Sequence, residues 1–354
     1  MTTASVLFRR VGEEQAVLLT QNTGWPEKLP SCDELNNREG FVFAPFCPSA
    51  DEPIYLIKPD RQEVFCPDTT EDTFSLQPES SHEREDYAID FANFHAHLLS
   101  GEFEKLVLAR RSRMHSEQAV DARQLFARAC KRYPRQFVAM VDIKGLGSWL
   151  MATPETLLRG RATDGDAQVL STMALAGTMV YDERHFALPI EELWSSKNLL
   201  EQHCVSSYIT ERIERFTSDF NATGPYTIRA AGLMHLCTDF SFTLPDTSKT
   251  GDVIAALHPT PAVCGMPQEE AQAFIRENES FDRHYYSGFI GTLGKANIDL
   301  YVSLRCMHIH ANPTTIDFYA GGGLLPDSME EEEWRETEAK MQTMKALFQF
   351  VNQQ

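Results

Sequence analysis

The sequence predicts an α+β domain. Two observations carry that reading. Strand-like and helix-like runs follow one another in mixed order, without the regular βαβ rhythm of a parallel sheet. No internal repeat and no low-complexity linker interrupts the 354 residues, so one large domain over residues 1–354 is favoured over two ordinary ones.

Residues 1–80 read as short strands and turns, broken at Trp25-Pro26, Pro45 and Pro48, with IYLI (54–57) as a strand. The polar stretch 75–86 reads as a loop. Tyr87, Phe91, Phe94 and Leu98 fall at i, i+4, i+7 and i+11, which gives one apolar helical stripe ended by Ser100-Gly101. KLVLAR (105–110) reads as a strand and residues 119–134 as a helix. FVAMVDI (137–143) and SWLMATPETLLRG (148–160) read as paired strands about a turn at Lys144-Gly145. Residues 186–216 have helical composition, 226–244 one or two strands, 252–257 a short helix or strand, and 269–278 a helix. FIGTL, LYVSLRCMHIH and TTIDFYAG read as strands before a closing helix from about Met329 to Val351.

Composition excludes several function classes. A net charge of −19 leaves no basic face to neutralise phosphates, which argues against nucleic acid and against an anionic membrane surface. The eight cysteines are scattered without a C-x-x-C pair, as expected of free thiols in a reducing cytosol. The N-terminus lacks the apolar run of a signal peptide and no stretch reaches membrane-spanning length, so a soluble cytoplasmic protein is expected.

Several residues invite a chemical reading beside an ordinary one. Lys105 opens an apolar strand; it is either a solvated strand end or a cleft lysine able to act as a base. Glu155, after Pro154, is either a turn carboxylate or a general acid. Asn198 and Glu201 share one helix face, and Glu333, Glu336 and Lys340 share another at i, i+3 and i+7. A solvated face accounts for both; so does a set of oxygen ligands around Mg²⁺. Arg305 closes the apolar run LYVSLR, where a charge needs a partner such as a carboxylate. The triplet Gly321–Gly323 lets backbone N–H groups approach an anion, although a tight turn needs glycine equally. His258, in HPTP, is a core histidine or a site histidine.

Taken in order, KLVLARR, ATPETLLRG, ALAGT, SSKNLLEQH, MHLCTDF, LHPTPAVCG, FDRHYYSGFIG, VSLR, YAGGGLLPDS and EEWRETEAK resemble the chorismate-utilising enzymes, most closely the isochorismate synthases. The resemblance takes in residues 86–345, leaving 1–85 as divergent N-terminal strands of the same domain. It implies two large packed antiparallel β-sheets with helices on the outside and a deep cleft between them. It also implies an Mg²⁺-dependent isomerase reaction: water adds at C2 of chorismate while the C4 hydroxyl leaves. Lys105 then matches the base and Glu155 the acid. Glu201 and Glu336 match the metal ligands, with Glu333 acting through metal-bound water. Gly177, Thr178, His258, Ala262, Arg305, Gly322, Gly323 and Lys340 match substrate contacts, with Val263 on the same wall. No glutaminase subunit is implied, and a monomer is expected. The product of such an enzyme feeds menaquinone or siderophore synthesis.

Three positions depart from the usual pattern: Asn198 where relatives often carry an acid, Met179 where arginine is frequent, and Cys237 in place of a smaller residue. Two alternatives share these blocks. One is a salicylate synthase, which adds pyruvate elimination; the other is an inactive chorismate-binding relative. HPTPA at the wall is the isochorismate synthase form, and the intact Lys105 and Glu155 oppose inactivity.

Overall fold

The computed structural model describes residues 2–68, 74–80, 82–162, 167–186, 188–230 and 232–348. Among them the strands form two antiparallel sheets of ten and nine. The first sheet runs in the order Gly265–Met266, Lys105–Ser116, Thr315–Leu324, Cys306–Ile309, Gly147–Thr153, Phe137–Ile143, Ala4–Arg9, Ala16–Gln21, Arg61–Phe65; Leu76–Pro78 also pairs with Lys105–Ser116. The second runs Phe220–Ala230, Leu233–Leu244, Gln168–Val180, Thr156–Ala162, Asn297–Val302, Phe289–Leu293, Gly40–Ala44, Ile54–Ile57, Glu27–Leu29. The N-terminal strands serve both layers: Ala4–Arg9 pairs with Phe137–Ile143, and Gly40–Ala44 with Phe289–Leu293.

The alternation of side chains along each strand explains the layering. In the first sheet Val141, Trp149, Met151 and Cys306 face the core between the sheets, whereas Met140, Leu150 and Met307 face outward under helices. That outer face is covered by helix Ala122–Arg132, whose N-cap Asp121 accepts from Arg123 N–H, and by the closing helix Glu330–Lys345. Helix Glu83–Leu99 buries Tyr87, Phe91, Phe94 and Leu98, the stripe read from the sequence, against Leu106 and Leu108. Such side chains each contribute about 1.5–3 kcal/mol on burial. Acidic Glu83, Glu85 and Asp86 sit in its first turn, where the helix dipole favours negative charge. Helix Ser196–Glu214 packs Val205, Tyr208, Ile209 and Ile213 into the inter-sheet core cluster.

Several runs differ from the sequence reading. The polar stretch 75–86 holds the short strand Leu76–Pro78 and the first turn of the helix. Residues 186–216 contain helices Ile190–Leu193 and Ser196–Glu214, broken at Trp194. Of the forms the sequence left open, 226–244 takes the two-strand one, as Phe220–Ala230 and Leu233–Leu244, and 252–257 the helical one, as Thr250–Leu257. The last helix ends at Lys345, followed by a 3₁₀ turn to Phe348; Val351 lies outside the described residues.

Two runs read as single strands cross between the sheets. SWLMATPETLLRG divides at Pro154-Glu155: Gly147–Thr153 belongs to the first sheet and Thr156–Ala162 to the second. LYVSLRCMHIH divides at Ser303-Leu304-Arg305 in the same way, between Asn297–Val302 and Cys306–Ile309. Arg305 therefore does not close a strand; it stands at a corner with φ of 47°. The two crossings lie side by side and share backbone hydrogen bonds, Val302 N–H to Glu155 O at 3.0 Å and Ala152 N–H to Arg305 O at 3.1 Å.

Candidate active site

The crossings bring Glu155 and Arg305 to the floor of a cleft. Gly177, Thr178, Glu201, Ala262, Val263, Gly323 and Lys340 join them in its lining. Glu155 is 2 % exposed, and among the described residues its carboxyl has no hydrogen-bond partner. Burial pushes its pKa up to about 8 against the pull of the positive charges of Arg305, Lys105 and Lys340. At neutral pH the side chain therefore carries a proton.

Arg305 is also buried, and burial presses its guanidinium below the usual value. Among the described residues no carboxylate lies within ion-pair distance of it. Among the described residues its one side-chain hydrogen bond is with His235 Nε2, 3.2 Å from NH2. A buried guanidinium left without a carboxylate is costly unless an anion arrives to pair with it.

His235 is the residue the sequence reading missed. It lines the cleft from strand Leu233–Leu244. Its Nδ1 lies 3.0 Å from Gly177 O, and a proton there leaves the Nε2 lone pair to accept from Arg305. Burial, with Arg305 and Lys340 nearby, lowers its pKa well below the usual range, so the ring is neutral. His258 behaves differently. It is absent from the cleft lining; its Nε2 lies within 3.3 Å of Pro45 O and Phe46 O, and its ring packs edge-on to Phe289. The two histidines are distinguished by the second sheet, which turns the alternating strand around His235 toward the cleft. Tyr286, also on the wall, was likewise not singled out.

Gly177 connects the cleft to the helix carrying Glu201. It forms a bulge in strand Gln168–Val180 with φ of +69°, a conformation that costs glycine least. The bulge frees its N–H to donate to Glu201 Oε2 at 3.2 Å while its carbonyl meets His235. Asn198 lies directly behind, 3.3 Å from where a Cβ on Gly177 would stand.

Three carboxylates and three lysines are paired one to one. Lys105 Nζ donates to Glu201 Oε1 at 3.0 Å, Lys340 Nζ to Glu336 Oε1 at 2.6 Å, and Lys197 to Glu333. Lys105 is fully buried, so its amine sits behind Glu201 rather than on the cleft wall. Burial alone would raise the Glu201 carboxyl, but the charge and hydrogen bond of Lys105 together with the charges of Lys340 and Lys197 outweigh it and hold the pKa low. Glu333 is raised by burial and by repulsion from Glu336. Lys340 also donates to Gly321 O at 2.8 Å.

The glycine triplet makes room for this array. A Cβ on Gly323 would stand 2.3 Å from Glu201 Oε1, and one on Gly322 would stand 3.1 Å from Glu333 Oε2 and 3.7 Å from Glu336 Oε1. Glu201 thus approaches strand Thr315–Leu324 on one side of the triplet, and Glu333 and Glu336 on the other. Among the described residues the three do not present oxygens within 4.8 Å of one another. Carboxylate oxygens are the donors a hard dication such as Mg²⁺ takes, and Gly322 and Gly323 leave the space beside these carboxylates free of side chains.

Residues 57–349 match the family described as chorismate binding enzyme. The chain belongs to that family. Isochorismate synthase DhbC of Bacillus subtilis (strain 168) is 30 % identical over 287 residues, 77 % of this chain and 69 % of that protein. Isochorismate synthase MenF of Escherichia coli (strain K12) is 30 % identical over 257 residues, 71 % of this chain but 57 % of the relative, and that of Haemophilus influenzae is 28 % identical with the same 57 % share. The chain thus spans less than two-thirds of the length of those two relatives. The solved structure of Escherichia coli MenF has the same fold, with a TM-score of 0.82 at 23 % identity over 98 % of this chain and 89 % of that one. Anthranilate synthase component I from Streptococcus pneumoniae TIGR4 shares it too, at a TM-score of 0.74 and 16 % identity over 95 % of this chain and 93 % of that one. Among the described residues of this chorismate-binding family member, no helix is long and apolar enough to cross a membrane.

Proposed function

We propose that the chain is an isochorismate synthase, exchanging the C4 hydroxyl of chorismate for one at C2. One observation carries the reading: a carboxyl held protonated at neutral pH, Glu155, shares a cleft floor with an anion-seeking guanidinium, Arg305. Hydroxide is a poor leaving group, and a carboxylic acid aimed at C4 supplies the proton that lets it depart as water. Glu155 is that acid. Lys105 is the base that takes the proton of the incoming water at C2, which requires its amine to leave Glu201. One water enters and one leaves, so the reaction is an isomerisation.

Arg305 pairs with a substrate carboxylate, and neutral His235 holds the guanidinium in place through its Nε2 lone pair. The Gly177 bulge and Thr178 form the facing wall, and Ala262 and Val263 exclude water beside the ring. Glu201 and Glu336 would hold Mg²⁺, with Glu333 beside them; the ion, when bound, would neutralise a substrate carboxylate amid the acidic residues. Lys340 and the Gly322–Gly323 backbone support the same end of the site. His258 is read as a buttress under this wall rather than a substrate contact. The chain is taken to act in the cytoplasm as a monomer without a glutaminase subunit, since water is its nucleophile.

Incubation with chorismate and Mg²⁺, followed by chromatographic product analysis, tests the proposal. Isochorismate as the sole product supports it. Salicylate with pyruvate would show a salicylate synthase, and unchanged chorismate a binding protein.

A further inference from the structure

A second cluster lies on the same sheet, away from the cleft. His308 on strand Cys306–Ile309 faces Asp317 on strand Thr315–Leu324 as its direct cross-strand partner, and His310 follows two residues on. Asp317 lies six residues before Gly323, roughly 20 Å along the strand at about 3.3 Å per residue. One nitrogen of each histidine and one Asp317 oxygen lie within 4.8 Å of one another.

His308 is the informative member. It is 8 % exposed, and its Nε2 lies 2.7 Å from Leu146 O, a carbonyl that can only accept. The ring proton therefore sits on Nε2, and the lone pair on Nδ1. That Nδ1 is buried and has no hydrogen-bond partner. The ring plane is held by stacking on Trp149, with centroids 4.6 Å apart and planes 8° from parallel, and a flip within that plane would give up the hydrogen bond to Leu146 O. A histidine that donates one ring N–H to a backbone carbonyl and presents the other nitrogen bare is oriented as metal-ligating histidines are.

Its neighbours complete the set. The His310 ring centroid is 4.1 Å from that of His308, and His310 Nε2 lies 2.9 Å from Asp317 Oδ2. Arg113 grips both Asp317 oxygens, Nε to Oδ1 at 2.6 Å and NH2 to Oδ2 at 2.7 Å, which fixes the carboxylate plane. We propose that His308 Nδ1, His310 Nε2 and Asp317 Oδ2 form a site for a divalent transition-metal ion of the Zn²⁺ or Co²⁺ type. Two imidazoles and one carboxylate are the donors such ions prefer, whereas Mg²⁺ prefers oxygen alone. Ligands about 2.0–2.2 Å from one tetrahedral ion stand roughly 3.3–3.5 Å apart. His310 and Asp317 would therefore separate by about half an ångström, with Arg113 remaining on Oδ1. His310 is only partly buried, which leaves a way in for the ion.

Cobalt is the probe. The purified chain is cleared with chelator, saturated with Mg²⁺ to occupy the oxygen-rich cleft, and titrated with Co²⁺. The wild type is expected to take up one Co²⁺ per chain, with visible d–d absorption, quenching of tryptophan emission through Trp149, and displacement by Zn²⁺. His310→Gln and Asp317→Asn should each weaken uptake at least tenfold and remove the absorption band. Asp317→Asn also disturbs the Arg113 pair, so circular dichroism is recorded for both variants. If Asp317→Asn fails to fold, His310→Gln decides alone, its residue being partly exposed. No Co²⁺ uptake by the wild type under Mg²⁺, or uptake by His310→Gln equal to wild type, overturns the proposal. Neither result depends on turnover of chorismate.

Discussion

Replacing Glu155 by Gln removes one proton equilibrium from the cleft floor while keeping the shape. In the fold the carboxyl titrates at about 8, against 4.5 for an unperturbed glutamate. Between those values the folded chain holds a proton that the unfolded chain has lost, so stability falls as pH rises. The favourable contribution is complete below pH 4.5 and gone above about 8. Glutamine has no such slope. The advantage of Glu155→Gln should thus be nil near pH 4.5 and grow by about 1.4 kcal/mol per pH unit. It should reach about 3 kcal/mol at pH 7 and level off near about 5 kcal/mol above pH 8. For a chain of this length about 3 kcal/mol corresponds to a Tm difference on the order of 4 °C. Thermal unfolding of both proteins from pH 5 to 9, free of metal and substrate, measures it. Turnover should move the opposite way: the variant loses about 10²–10⁴-fold, and wild-type turnover declines as pH rises through about 8. A Tm difference that does not change with pH, or a variant less stable than wild type at pH 8, would falsify the assignment. Either would mean that Glu155 is ionised in the fold and paired with Arg305 or Lys105.

Four further outcomes follow from the same geometry. Gly323→Ala places a methyl 2.3 Å from Glu201 Oε1 and should cut turnover by about 10²-fold or more with little loss of Tm; unchanged kinetics would show that the strand has room to spare. Arg305→Ala should raise KM for chorismate roughly 10–100-fold, the worth of a charge-assisted hydrogen bond, and a defect confined to kcat would remove the guanidinium from substrate binding. His235→Asn should impair turnover while His258→Asn leaves KM near wild type, and steady-state kinetics on the pair that show the reverse would restore His258 to the cleft. Chelator should abolish activity and Mg²⁺ restore it, with Glu201→Ala and Glu336→Ala each severe and their combination little worse; additive losses would mean that the two carboxylates serve separate ends.

Side-chain periodicity made the elements legible, and a helix such as 83–99 is visible because four aromatic and aliphatic residues repeat along one face. The crossings were not legible. Both strands at each crossing are buried, and so are the polar residues between them, Thr153, Glu155, Ser303 and Arg305, so the short polar break at each crossing does not read as an exposed loop that would end a strand. The change of sheet is a long-range event, set by which partner strand each half finds. The same limit applies to the histidines. The prolines beside His258 made it conspicuous, yet they fix a turn that buries it against Phe289. His235 sits in an ordinary strand, and only the pairing with Gln168–Val180 across the Gly177 bulge turns it toward Arg305. The pairing of Glu201 with Lys105 and of Glu333 with Lys197 was equally out of reach, because each pair joins elements far apart in sequence; only Glu336 and Lys340, four residues apart on one helix, were legible as neighbours.

The paired crossings also determine how the two layers are tied. At Glu155 and Arg305 the two layers are joined covalently twice, and the joints are laced to each other by backbone hydrogen bonds. The chain passes between the layers again through the short links 22–26 and 58–60, which connect the far edges of the two sheets. The acid and the guanidinium thus stand on a double seam within a stitched frame. Glu201 rides on a helix packed against the second sheet, and Glu336 on a helix packed against the first. A cation held by both would be one more stitch between the layers, made by side chains instead of backbone.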